Sequence, residues 1–339
     1  MNAPHEGKPP GALCTAHERL GLPWLVADVG GTNARFGWVE DPSAGVQQVR
    51  RFAVADHASP AHAAAAYLDT LGSSQPAPRR AALAVATAID GDTVSLTNSA
   101  WSFSCAALRE ALGVRELRVL NDFEALALSL PRLQPHQVRA HGALPQPQGT
   151  LAVIGPGTGL GVAGVVQTGA GWQALPGEGG HATLAAADDF EAALLQHARR
   201  TFPHVSAERL LSGIGLPTLH EAVAAVRGEA AEPLAAPQIV ERALAGGDAQ
   251  CERTLDVFCA LLGGFAGNVA LMLGARGGVY IGGGIVPRLG ERFFASRFRE
   301  RFEAKGRFQG YLQAIPTALI TDTQAALTGA AAALQPHDA

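Results

Sequence analysis

The sequence holds almost no lysine. Only Lys8 and Lys305 occur among its 26 basic side chains, so arginine supplies the rest. The net charge is −4 over 339 residues, which excludes a broad basic face and hence a nucleic-acid partner. Charged residues are 17% of the chain, below the usual ~25%. The four cysteines, Cys14, Cys105, Cys251 and Cys259, form no Cys-x-x-Cys pair. They are too few for a disulfide framework, and the reduced cytoplasm is the expected location. No Walker A motif occurs, since the only Gly-Lys pair is Gly7-Lys8 near the start. Residues 1–22 lack the basic start and apolar run of a secretory leader and read as a disordered tail. Val257 to Ala275 carries no charge, but Gly263, Gly264, Gly267, Asn268 and Gly274 interrupt it and no aromatic belt flanks it. A buried helix is the expectation there, and no membrane partner.

Glycine is in excess. There are 40, where an average composition of ~7% would give roughly 24. Most of the surplus gathers in a few turns. Trp24 to Ala27 is an apolar run that ends in Asp28-Val29-Gly30-Gly31-Thr32-Asn33, and a second run follows to Val39. Leu151 to Ile154 ends in Gly155-Pro156-Gly157-Thr158-Gly159, and Leu160 to Val166 follows. Each reads as strand, Gly-rich turn, strand. Third strands are expected at Gln47–Val54 and Gly169–Leu175. Further strands are expected at Ala81–Ala86, Leu117–Leu120, Gly278–Ile281 and Ile315–Ile320. Helices are expected at Pro60–Leu71, Ser104–Leu112, Phe123–Leu130, Asp188–Thr201, Ser206–Leu211, Leu216–Val226, Pro237–Ala245, Ala249–Leu273 and Gln324–Leu334. Leu133–Gly149 reads as a linker. The order repeats without the letters repeating, so the chain reads as two α/β units with a cleft lined by both Gly turns.

Six motifs carry chemistry. In Asp28-Val-Gly-Gly-Thr-Asn33, a bare backbone can approach phosphate oxygens, and Asp28 can hold Mg²⁺, directly or through water. An ordinary hairpin turn is the competing reading. Gly155-Pro-Gly-Thr-Gly-Leu-Gly161 offers the same phosphate cradle. Gly159-Leu-Gly-Val-Ala-Gly164 fits the dinucleotide fingerprint, but a strand follows it where a helix is required. Asn121-Asp122 ends a strand. Asp122 can take a hydroxyl proton as general base, its ordinary pKa of ~3.9 leaving it ionised, or it can cap a helix. Gly177-Glu178-Gly-Gly-His181 sets a carboxylate and an imidazole three apart, where they can grip neighbouring hydroxyls or simply face solvent. Ser206-Ala-Glu208 can meet the same ligand or start a helix, where Glu suits the dipole. Gly282-Gly283-Gly284 follows a strand and would let a flat ring lie against backbone.

Together these strings resemble the bacterial glucokinases of the actin, heat-shock ATPase and sugar-kinase superfamily. The matching text is Asp28-VGGTNAR, Thr97-Asn98-x-x-Trp101-x-Phe103, Asn121-Asp122-Phe123, Gly157-TGLG, Leu175-PGEGGH, His204-VSAERLLSG, Gly282-GGIVPR and Lys305-GRF. The resemblance implies an α/β fold with two RNase H-like (actin-like ATPase) domains flanking a cleft. A small domain would span 23–132 and 320–339, and a large one 133–319. It implies ATP-dependent phosphorylation of glucose at its 6-hydroxyl, with Mg²⁺, and a homodimer. Asp122 matches the general base, and Asn98, Asn121, Asp122, Glu178, His181 and Glu208 match sugar-binding positions. Asp28, Gly30, Gly31, Thr32, Asn33, Gly157, Thr158 and Gly159 match phosphate turns, and Gly282, Gly283 and Gly284 the adenosine side. Ala88 and Ile214 stand where the family usually has proline. A sugar-sensing regulator without catalysis, or a kinase for another hexose, remain the alternatives.

Overall fold

The two Gly-rich hairpins open two sheets that share one strand order. A computed structural model of the chain describes residues 20–96 and 99–335. The expected tail therefore lies outside the described residues up to position 19, and so does Asn98. The first sheet uses β1 (Trp24–Val29), β2 (Asn33–Val39), β3 (Gln47–Ala53) and β4 (Arg80–Val85). A small separate hairpin follows, β5 (Thr93–Ser95) and β6 (Ser102–Ser104), before β7 (Glu116–Asn121). The second sheet uses β8 (Val138–His141), β9 (Thr150–Pro156), β10 (Leu160–Thr168), β11 (Gly171–Leu175), β12 (Gly278–Ile281) and β13 (Thr317–Ile320). The orders are β3-β2-β1-β4-β7 and β11-β10-β9-β12-β13-β8.

In each sheet three strands form an antiparallel meander, and two parallel strands extend it from the first strand. Parallel neighbours need crossovers, which the helices provide. Central strands are covered on both faces, which explains why β1 and β9 read as nearly continuous apolar runs.

The structure departs from the sequence expectations at several places, including four short unexpected helices at Val286–Leu289, Glu291–Ala295, Phe298–Glu303 and Gln309–Gln313. Val138–His141 is a strand inside the expected linker, paired antiparallel with β13. The hairpin β5–β6 had no distinct pattern. Residues 206–211 are not an α-helix. Their start is pulled onto the preceding loop, where Leu184 N–H donates to Val205 O and Ala207 N–H to Ala182 O. Within the segment, Arg209 N–H to Ser206 O and Leu210 N–H to Ala207 O are the bonds of turns.

The apolar helix Ala249–Leu273 is long enough to cross a membrane by length and composition, yet 67% of its most apolar window is buried in the protein. Gly263 and Gly267 let the helix Phe298–Glu303 cross closely, since a Cβ at Gly267 would lie 2.5 Å from Phe302 O. Lys305 serves the same packing, donating to Gly264 O at 2.8 Å and Asn268 Oδ1 at 2.7 Å. The last helix, Ala325–Ala333, returns to the first sheet, where Leu327, Ala330 and Leu334 bury against Trp24, Val26 and Ala82. Its Gly329 sits on the Ala125 carbonyl of the helix Asp122–Ser129.

Candidate functional site

Asp28 lies near the end of β1, directly across from Arg35 on β2. The register brings Arg35 Nη1 to 3.0 Å from Asp28 Oδ2. Burial pushes the Asp28 carboxyl up, against the pull of that guanidinium. The following turn closes through Gly30 N–H to Asn33 O at 2.9 Å. Gly30 does not need its freedom of φ, and a Cβ there would meet only Asn33 O at 3.6 Å. What its missing side chain provides is a bare backbone. Thr32 is exposed, and its carbonyl accepts from Val54 N–H.

The helix Asp122–Ser129 starts where β7 ends. Its N-cap is Asn121, whose Oδ1 accepts from Phe123 N–H at 2.9 Å and Glu124 N–H at 3.4 Å. Asn121 Nδ2 donates to Thr87 O at 3.1 Å. Asn121 therefore offers a ligand only its remaining amide N–H. The cap is Asn121, and Asp122 is free of that duty, its Oδ1 accepting from Phe123 N–H at 2.9 Å. Burial, the Asp28 carboxylate and the Glu178 carboxylate push Asp122 up to about 6, against the pull of backbone N–H groups. The unperturbed pKa expected from sequence is thus replaced by one nearer neutrality.

The turn after β9 is built differently from the expectation that all its glycines cradle phosphate. A Cβ at Gly155 would come within 2.6 Å of the Phe123 ring, and one at Gly161 would overlap it. Those two glycines make room for Phe123. The bare stretch is Gly157-Thr158-Gly159, closed by Gly157 N–H to Gly159 O at 2.9 Å. Gly213 N–H to Gly157 O and Ile214 N–H to Thr158 O hold it from behind. Gly283 adopts φ +77°, and any side chain there would overlap the Pro156 carbonyl. That close approach lets Ile285 N–H reach Pro156 O and fastens the Gly282–Gly284 turn to the same place. Gly277 and Gly278 sit at the other end of β12, packed on Gln148 O and Pro145, and face no site.

Glu178 and His181 are exposed on the loop after β11, with Gly180 buried against Leu160 O. Glu178 is near enough for its charge to act on Asp122. Glu208 is half-buried, and its Oε2 accepts from Leu160 N–H at 2.9 Å. Its backbone N–H donates to Gly180 O. The bland reading of Glu208 as a helix-start residue fails with the helix itself. The charge of Asp28 thus reaches Asp122, and contacts run from Asp122 through Phe123 to the turns at 155–161 and 282–284.

Beside those turns lies a cavity of about 380 Å³. Gly157, Thr158 and Gly284 form one part, and Ile214, Leu216, Pro237, Val240, Ile285 and Arg288 are among the residues that line the remainder. It is mostly apolar with one guanidinium, suited to a flat heterocycle beside a phosphate turn. Of those six, Ile285 and Arg288 fall inside a matching string and Ile214 directly after one, but none has a binding role by sequence alone. They come from separate helices and loops, and only the fold assembles them.

Among the described residues no cluster of three or more His, Cys, Asp or Glu forms a ready metal centre. The donor set nonetheless fits Mg²⁺, which uses one or two carboxylates together with substrate phosphates. The charges of Asp28 and Glu178 both act on Asp122, with Arg35 as the cation paired to Asp28, leaving the place electronegative.

A family model described as Glucokinase matches residues 25–337. A glucokinase from Aromatoleum aromaticum is 50% identical over 313 residues, covering 92% of this chain and 94% of that protein. A glucokinase from Chromobacterium violaceum is 48% identical over 316 residues, covering 93% and 90%. The crystal structure of a glucokinase from an Antarctic psychrotroph is 42% identical with a TM-score of 0.85, covering 92% of this chain and 98% of that one.

Proposed function

The chain belongs to the glucokinase family and phosphorylates glucose with ATP, and from that membership we propose how its own residues divide the work. Residues 23–132 with 320–339 form one RNase H-like unit and 133–319 the other, with the cleft between them. Glucose lies against Asn121, Asp122, Glu178, His181 and Glu208, its 6-hydroxyl facing Asp122. Asn98 belongs to the same set by family position, and lies outside the described residues. ATP lays its phosphates along Gly30-Gly31-Thr32-Asn33 and Gly157-Thr158-Gly159. Its adenosine enters the cavity edged by Gly282, Gly283 and Gly284.

Asp122 accepts the proton of the 6-hydroxyl as the sugar oxygen bonds to the γ-phosphorus and the bond to the β-phosphate oxygen breaks. A base with a pKa of about 6 is mostly ionised at neutral pH yet basic enough to share the proton in the transition state. Asp28 would hold Mg²⁺, directly or through water, and the ion would neutralise charge on the phosphates. Phosphoryl transfer asks mainly for such positioning and charge stabilisation. Closure of the two units would exclude water and limit ATP hydrolysis. The protein works in the cytoplasm as a homodimer in this reading.

The observation that carries the assignment is the convergence of Asp28, Asp122 and Glu178 beside two bare glycine turns. One coupled assay tests it: purified protein with ATP, Mg²⁺ and a panel of sugars. Preferred turnover of glucose supports it. A preference for mannose or fructose makes it another hexose kinase, and sugar binding without turnover makes it a sensor.

A further inference from the structure

The carboxylate of Glu208 stands where the sugar loop meets the phosphate turn. Its Oε2 accepts from Leu160 N–H at 2.9 Å, at the point where the turn passes into β10. Any side chain at Gly159 would overlap that oxygen, so the turn is shaped around it. The backbone of the same residue is anchored on the other side. Glu208 N–H donates to Gly180 O at 2.9 Å, beside His181, and Ser212 Oγ donates to Glu208 O at 2.7 Å. One residue therefore ties the two loops together, by side chain to one and by main chain to the other.

Sugar binding does not account for this arrangement. A carboxylate whose only task is to meet hydroxyls has no need of an amide in the neighbouring turn. An anion next to a turn that receives phosphates also adds like charge there, so its contribution must be geometric. Oε1 takes no bond from another group among the described residues.

We propose that Glu208 is a positioning residue for the nucleotide: it holds Leu160 N–H, and with it the Gly157–Leu160 backbone, in the shape that receives phosphate. Its Oε1 remains open to a sugar hydroxyl. The proposal rests on the reading of Gly157-Thr158-Gly159 as a phosphate turn. It makes sugar and nucleotide binding linked, each strengthening the other by the same factor.

The test is the dissociation constant of a non-hydrolysable ATP analogue with Mg²⁺ and no sugar, by titration calorimetry. Glu208→Ala weakens it about fivefold to tenfold, as expected for the loss of one hydrogen bond. Glu208→Gln stays within about twofold of the wild type, because its amide oxygen still accepts from Leu160 N–H. Gly159→Ala displaces Oε2 and gives the alanine-like loss with Glu208 intact. A residue acting only on sugar would leave all these values unchanged, and that result overturns the proposal. Should Glu208→Ala fail to fold, the Gly159→Ala and Glu208→Gln pair decides it by the same criterion. If the wild type itself does not bind the analogue, the phosphate-turn reading falls, and the inference with it. That failure is recognisable because it precedes any substitution.

Discussion

The ring of Phe123 occupies the place that a side chain at Gly161 would need. Phe123 follows Asp122, and its N–H bonds the Asp122 carboxylate at 2.9 Å. The glycine thus acts on Asp122, the proposed base, through the ring.

Gly161→Ala must push that ring aside. Overpacking of this kind costs about 1–3 kcal/mol. The turnover number falls as well, since Asp122 moves with its neighbour. Urea unfolding and steady-state kinetics check the two effects together. Unchanged kcat with reduced stability would leave Gly161 a packing residue only.

The pH dependence follows from Asp122. Transfer needs the ionised base, so kcat/KM falls below an apparent pKa of about 6. Asp28→Asn removes a neighbouring negative charge that helps hold this value up. The acid limb of the residual activity therefore moves to lower pH. A limb that stays fixed would separate the two carboxylates.

Much of this site was legible in the sequence, and the limits were physical. Apolar runs broken by glycine located β1, β2, β9 and β10, because strand burial and turn geometry are local signals. The strings single out Asp122, Glu178 and Glu208, and the structure sets Glu178 near Asp122 and Glu208 on the Leu160 amide. The strand Val138–His141 was missed because its polar residues pair with β13 only through the fold. The helix at 206–211 was misread because bonds to residues 182 and 184 outweigh local propensity. Gly155 and Gly161 read as cradle residues, and only the ring of Phe123 shows what fills their space.

Stability at neutral pH should improve when the base is neutralised. Native Asp122 keeps its proton up to about pH 6, whereas an aspartate free in water loses it near 3.8. Between those values the native state binds more protons than the unfolded one, so stability declines as pH rises through the window. At pH 7.5 the ionised buried carboxylate costs roughly 3 kcal/mol at most. Asp122→Asn therefore raises Tm by about 2–5 °C at pH 7.5, with little gain near pH 4. Calorimetric scans at the two pH values check this. A lower Tm at pH 7.5 would contradict it.

The cavity beside Gly157 and Gly284 is the proposed adenosine site. Arg288 and Ile214 edge it, and Ile214 is 55% exposed at its rim. Arg288→Ala with Ile214→Ala raises the KM for ATP about threefold to tenfold and leaves that for glucose unchanged, as loss of uniform binding does. Equal rises in both constants would place the cavity elsewhere in the mechanism.

The central claim is that Asp122 is the base. The direct measurement is single-turnover transfer from ATP to glucose by Asp122→Asn, alongside calorimetric titration of glucose. The account predicts a rate lower by about 10²–10⁴, the usual contribution of a positioned base, with glucose still bound. A variant that transfers phosphate at close to the wild-type rate would contradict it.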